Sequence, residues 1–177
     1  REEIFIPEKK IILNYSTDDL KNGIIFYNSL LKNKGVKFPI KNNSVHIKKI
    51  NLIREKIITG DEAIYKTLSP VSVRHHFGDN KQTWYYSLND IKGQKVFIKN
   101  LKYQLMERFV EDRHLDIDEV QFKVLKNKEV KVKHYDIEIL ANICCLNIRA
   151  KPYILDYLYK AGIGSQRSTG FGMVDLV

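Results

Sequence analysis

The sequence is short of cysteine, tryptophan, methionine and proline, with two, one, two and four of them in 177 residues. The cysteines are adjacent, Cys144 and Cys145, inside an apolar run. Neighbours on a strand point to opposite faces, so a shared disulfide or metal is not expected, and both read as buried core thiols. No CxxC or HxxxH spacing occurs, which removes the common zinc frameworks; no metal and no cofactor are expected. No apolar run approaches the ~18 residues of a membrane helix, and no signal-peptide pattern is present. No membrane association is expected, and a reducing, cytoplasmic location is the default. Acidic residues are also in deficit, 21 against 30 basic ones, for a formal charge of +9. Such a balance points to an anionic partner, above all a phosphate backbone, although charge alone is also compatible with a basic protein that binds no nucleic acid.

What is present is a foldable chain, with 44% apolar and 29% charged residues. Residues 4–6 and 11–15 read as strands, and Ser16, Thr17 and Asp18 offer caps for a helix carrying Leu20, Ile24, Tyr27, Leu30 and Leu31 at helical spacing. Gly35 serves as its stop. Residues 45–58 read as a β-rich stretch, and a domain boundary falls near Gly60. Residues 63–74 then read as a strand, followed by a loop with His75, His76, Gly78 and Trp84. A helix over about 90–113 shows Ile98, Leu101, Leu105 and Phe109 on one face. A hairpin with its turn at 126–129 follows, then a strand over about 135–149. A short helix opens at Pro152 with Ile154, Leu155, Leu158 and Tyr159 as its apolar side. The last strand lies within 171–177. From Ala63 onward this order is βαββαβ, the ferredoxin-like unit. Residues 1–60 match only the back half of a similar unit.

Four of the nine glycines fall in one eleven-residue window, 162–172, reading GIGSQRSTGFG. Glycine admits positive φ and close backbone approach, and consecutive amides can form a concave donor nest for phosphate oxygens. Arg167 adds a bidentate phosphate donor; Ser165, Ser168 and Thr169 add hydroxyls, and Lys160 a further charge. Here the glycines follow a helix, whereas the dinucleotide and Walker loops follow a strand and open a helix, and no Gly-Lys-Ser/Thr occurs. The plain alternative is a glycine-rich turn that only reverses the chain.

This window, ahead of a final Met-Val strand, resembles the C-terminal glycine-rich loop of the CRISPR-associated repeat-processing endoribonucleases of the RAMP superfamily. The helix over 152–160 and the segment KTLSPVSVR, residues 66–74, resemble the same family. The resemblance implies an α+β chain with tandem ferredoxin-like domains, 1–60 being the C-terminal part of the first and 61–177 the second. It implies metal-independent cleavage of precursor CRISPR RNA within repeats, by attack of a 2′-hydroxyl on the adjacent phosphate. The products would carry a 2′,3′-cyclic phosphate and a 5′-hydroxyl. Gly162, Gly164, Gly170 and Gly172 would shape the RNA-binding loop. Ser165, Gln166, Arg167 and Ser168 would contact RNA, with Lys160 and Arg74 as further cations. The family's catalytic histidine and first strand are expected upstream of Arg1, so within this sequence only His75 and His76 stand as candidate bases. The alternative is a non-catalytic RNA-binding RAMP subunit. CRISPR repeat RNA is the expected partner, with other effector subunits or a homodimer possible.

Trp84, Tyr85 and Tyr86 beside Lys81 could stack on bases, but aromatics alternating along a strand read first as core. Lys123, Lys126, Lys128, Lys131 and Lys133 read as a solvated basic edge, with a phosphate-contacting ridge as the alternative. His46, His114 and His134 read as surface residues.

Overall fold

The computed structural model describes residues 6–77, 82–109 and 114–177. The expected strand at 4–6 is thus described only at Ile6, and Gly78, Lys81 and the end of the expected helix at 110–113 lie outside the described residues. In order come α1 (Leu20–Lys32), β1 (Lys37–Ile40), β2 (Asn43–His46), β3 (Glu62–Thr67), β4 (Val71–Ser72), β5 (Arg74–Phe77) and β6 (Gln82–Tyr85). Then follow α2 (Ile91–Arg108), α3 (His114–Asp118), β7 (Gln121–His134), β8 (Ile137–Arg149), α4 (Pro152–Ala161) and β9 (Val174–Leu176). The fold class is α+β, as the sequence reading holds.

The main sheet runs β7-β8-β3-β9 with every neighbour antiparallel, and β4 continues the line of β3 along β8. With α2 between β3 and β7, and α4 between β8 and β9, this is the ferredoxin-like winding. Both helices pack on one face. Phe97, Leu101 and Leu105 of α2 and Ile154, Leu155 and Leu158 of α4 are fully buried against Tyr65, Leu146 and Ile148. The Tyr65 hydroxyl donates to the Leu155 carbonyl at 2.8 Å, which satisfies the one polar atom this ring carries inward.

A buried polar knot fixes the junction of β4, β8 and the entry to α2. Asn142 is fully buried; its Oδ1 accepts from the Leu88 amide at 2.8 Å, and its Nδ2 donates to the carbonyls of Tyr86 and Val71 at 3.1 and 3.3 Å. Asn127 donates to the same Oδ1 at 3.0 Å. This contact corrects the expected turn at 126–129. Instead of turning the chain, Asn127 keeps β7 continuous through a bulge at Leu125, and reversal comes later at Tyr135, with φ 54.

The N-terminal third departs most from expectation. Residues 11–15 and 48–59 form no strand, and α1, β1 and β2 contain no buried residue. Ile11, Ile12, Leu13, Leu52, Ile53 and Ile57 are all exposed. Apolar spacing marks a face, but a strand forms only where a neighbour takes its backbone groups. The cap of α1 is Asp19, one residue past the candidates, and its carboxylate accepts from the Asn22 amide at 3.1 Å. Polar ties join this segment to the sheet unit: Asp18 to Arg108 at 2.7 Å, Ser16 to the Lys160 carbonyl at 2.8 Å, and Lys56 to Asp175 at 3.0 Å.

Candidate nucleic-acid interface

The segment after α4 is a loop whose two ends are stitched together and then to β4. The Ile163 amide donates to the Gly172 carbonyl at 2.9 Å, and the Gly172 amide to the Pro70 carbonyl at 2.9 Å. The Ser165 amide donates to the Ser72 carbonyl at 2.9 Å, and the Ser72 hydroxyl to Gln166 Oε1 at 2.9 Å. Ile163 and Phe171 are buried; Phe171 sits in a second small core with Ile139 and Ala141, against which Tyr85, Val130 and Val132 pack.

The four glycines therefore divide. Gly162, Gly164 and Gly172 all have positive φ, and a Cβ at any of them would run into neighbouring atoms. At Gly164 it would lie 2.8 Å from Val71 Cγ1 and 2.9 Å from the Ser72 carbonyl oxygen. Gly170, φ 96, faces open space. The first three build the base of the loop, and the exposed part is its tip, Ser168, Thr169 and Gly170. Gln166, at φ 60, turns the chain into the 3-10 turn Arg167–Thr169, where the Thr169 amide and hydroxyl both return to the Gln166 carbonyl. Several amides expected to form a donor nest, those of Ile163, Ser165, Thr169, Gly170, Phe171 and Gly172, are instead bonded within the protein.

Of the loop's side chains, Ser165, Gln166 and Arg167 are half-buried, and Arg167 spends one guanidinium N–H on the Ala161 carbonyl at 3.3 Å. Lys160 departs from the expectation of a free cation. It lies 2.9 Å from Asp156 and 3.1 Å from Glu55. The hydrogen bond Lys160 donates to Asp156 outweighs burial, with Glu55 adding to it, so its pKa is raised.

Arg74 is brought to the loop through a residue the sequence reading passed over. Asn100, on α2, donates to the Arg74 carbonyl at 2.7 Å and lies 3.4 Å from Ser165 Oγ. One helical turn on, Gln104 donates to the Gly162 carbonyl at 2.9 Å. Two amide side chains four residues apart on a largely apolar face were the available signal.

His75 and His76 are not in a loop, as expected, but in β5, paired with β6 so that His75 faces Trp84 and His76 faces Thr83. His76 is exposed, with Nδ1 2.9 Å from Thr83 Oγ1. Partial desolvation, then the neighbouring Arg74 and His75, lower its pKa. His75 Nδ1 is shielded from solvent and has no partner among the described residues, and its ring lies 4.2 Å from that of Phe77. Trp84 is 63% exposed, which corrects the core reading, while Tyr86 is buried. Cys144 is buried and Cys145 only partly so, neither in a disulfide. Lys123, Lys126 and Lys128 stand opposite Asn147, Cys145 and Ile143, on the sheet face away from the helices; Lys131 is paired with Glu138 at 3.0 Å. No helix among the described residues is long and apolar enough to cross a membrane.

A ferredoxin-like unit with a glycine loop ahead of its closing strand defines a class, the RAMP-type α+β proteins. Residues 52–176 match the family model described as CRISPR associated protein Cas6, C-terminal. The chain belongs to the Cas6 family. Among solved structures it is similar to the product of a Cas6-related gene from Pyrococcus furiosus, with 21% identity and a TM-score of 0.73 over 92% of this chain and 65% of that one. It is equally similar to a RAMP protein described as binding different RNA substrates, with 24% identity, TM-score 0.73, and 92% and 66% of the two chains covered. A Cas6 product complex matches at 12% identity and TM-score 0.63, over 86% and 70%. The chain thus spans about two thirds of the length of the first two, 65% and 66%. Comparison with curated proteins returns no match.

Proposed function

We propose that this protein binds CRISPR repeat RNA along the glycine loop and cleaves precursor transcripts there. The observation that carries the reading is the anchored loop itself. Its base is held by hydrogen bonds to Pro70 and Ser72, which fix Gln166 against β4 with Arg167 and Ser168 following in the 3-10 turn. A rigid scaffold of this kind meets a phosphate chain without paying to order itself at binding. The net charge of +9 draws the same ligand. Residues 61–177 act as the second ferredoxin-like unit. Residues 1–60 belong to a first one, whose apolar positions need a further layer to cover them.

In the cleavage step the 2′-hydroxyl attacks the adjacent phosphorus while a base takes its proton. The P–O5′ bond breaks, the 5′-oxygen leaves with a proton taken from water, and a 2′,3′-cyclic phosphate remains. Between the two histidines, His76 has the chemistry for the base. Its lowered pKa favours the neutral imidazole, and in the tautomer whose Nδ1–H donates to Thr83 the Nε2 atom is the one that accepts a proton. Arg74, before it in β5, supplies charge for the phosphate.

Incubation of the complete protein with repeat RNA in EDTA tests the proposal. Cyclic-phosphate ends are expected; binding without cleavage would make it a non-catalytic RAMP subunit, and no binding would overturn both.

A further inference from the structure

The hairpin β5–β6 carries a surface that its own fold does not use. Side chains directly opposite on an antiparallel pair share a face. Arg74, Tyr85, His76 and Thr83 therefore lie on one side, where Tyr85 packs into the small core with Phe171. His75, Phe77 and Trp84 lie on the other. There Trp84 is 63% and Phe77 40% exposed, and the His75 ring lies against that of Phe77, tilted by 60° with centroids 4.2 Å apart.

Two exposed aromatic rings, Phe77 and Trp84, with His75 half-buried against Phe77, stabilise a two-stranded hairpin little and offer a π surface on this face. From this we infer that the His75–Phe77–Trp84 face is a stacking platform for unpaired bases of a single-stranded RNA segment. The inference rests on the RNA reading of the glycine loop. Two observations favour RNA over a protein partner. The protein carries an excess of nine positive charges, so a polyanion is the ligand its field concentrates. The platform is also tied to the glycine loop: Asn100 bridges the Arg74 carbonyl to Ser165, and Ser72 pairs with Ser165. A strand whose phosphates lie along Arg167 would pass next to the hairpin, because Asn100 ties Ser165 of the loop to the Arg74 carbonyl of β5. Bases stack on aromatic planes with little regard to identity, so the platform adds affinity for unpaired nucleotides rather than a sequence code.

Trp84 is the only tryptophan in the sequence, so its emission reports on this face alone. Titration of the chain with synthetic repeat RNA should quench that emission in step with binding measured by anisotropy of labelled RNA. Trp84→Ala should weaken binding by about five- to a hundredfold, whereas Trp84→Phe should retain most of it. Replacing single nucleotides by abasic ones should locate one or two positions where the Trp84→Ala loss disappears. Tight binding without quenching, together with unchanged affinity in Trp84→Ala, would overturn the platform while leaving RNA binding intact. The face would then be a protein contact. No binding at all by the native chain would instead remove the RNA reading beneath it.

Discussion

Replacing Gly172 with alanine separates the two roles that glycine plays in this loop. The residue sits at φ 74, a conformation that costs an L-residue about 1–2 kcal/mol. A Cβ there would also lie well inside 3.0 Å of the Ile163 carbonyl oxygen, which is backbone and cannot swing aside. Relief requires the two loop strands to part. That loosens the bond from the Ile163 amide to the Gly172 carbonyl and the one from the Gly172 amide to Pro70, each 2.9 Å. Overpacking of this kind adds about 1–3 kcal/mol, so the total is about 2–5 kcal/mol. For a chain of this size about 2–4 °C is lost per kcal/mol, so the melting temperature should fall by about 4–20 °C. Gly170→Ala is the internal control. Its φ of 96 carries the conformational cost, but nothing lies within 4 Å of the new Cβ. It should lose only about 1–2 kcal/mol, or about 2–8 °C. Thermal unfolding followed by far-UV circular dichroism in one buffer reads both variants. Equal shifts, or a larger shift for Gly170→Ala, would refute the division of the loop into a packed base and an open tip.

The remaining predictions address charge and polar burial. Arg167→Ala should weaken repeat-RNA binding and reduce the slope of log K against log salt by about 0.7–0.9, one phosphate contact; a filter-binding series across salt measures it, and an unchanged slope removes Arg167 from the interface. Asn142→Leu should cost at least about 2 kcal/mol in urea unfolding, because it strands the Leu88 amide and the Tyr86 and Val71 carbonyls in the interior. Desolvation, Arg74 and His75 together lower the pKa of His76, so the folded protein favours its neutral form and the acid limb of cleavage should lie below about pH 6.5. Arg74→Ala removes one of those causes and should move the His76 proton resonance titration upward; a downward move would contradict the assignment.

Much of the ferredoxin-like unit could be read from the chain because its signals are local. Pro152 at the first turn of α4 and Gly162 at its cap mark that helix without reference to anything distant. The reading fails where one residue has two possible uses and a remote partner chooses. Asn127 looks like a turn residue until Asn142, fifteen positions on and across the ladder, claims its amide. Trp84 looks like core until β6 is seen, among the described residues, to pair with β5 alone. Residues 11–15 are apolar and β-branched enough to read as a strand, but no strand among the described residues lies beside them to take their backbone groups.

The glycine window shows the same division within one motif. Composition reveals that four glycines cluster, but only packing assigns three of them to stitching and one to the tip. That division bears on function. An anchored base holds Arg167 and Gln166 in place before any ligand arrives, so the ordering cost is met on folding rather than on binding. A substitution at Gly162, Gly164 or Gly172 should therefore reduce RNA affinity only as far as it unfolds the loop. A substitution at Ser168 or Gly170 can change affinity with the fold intact. Plotting affinity loss against stability loss for all five positions should give two separate lines, and a single line would mean that the loop is purely structural.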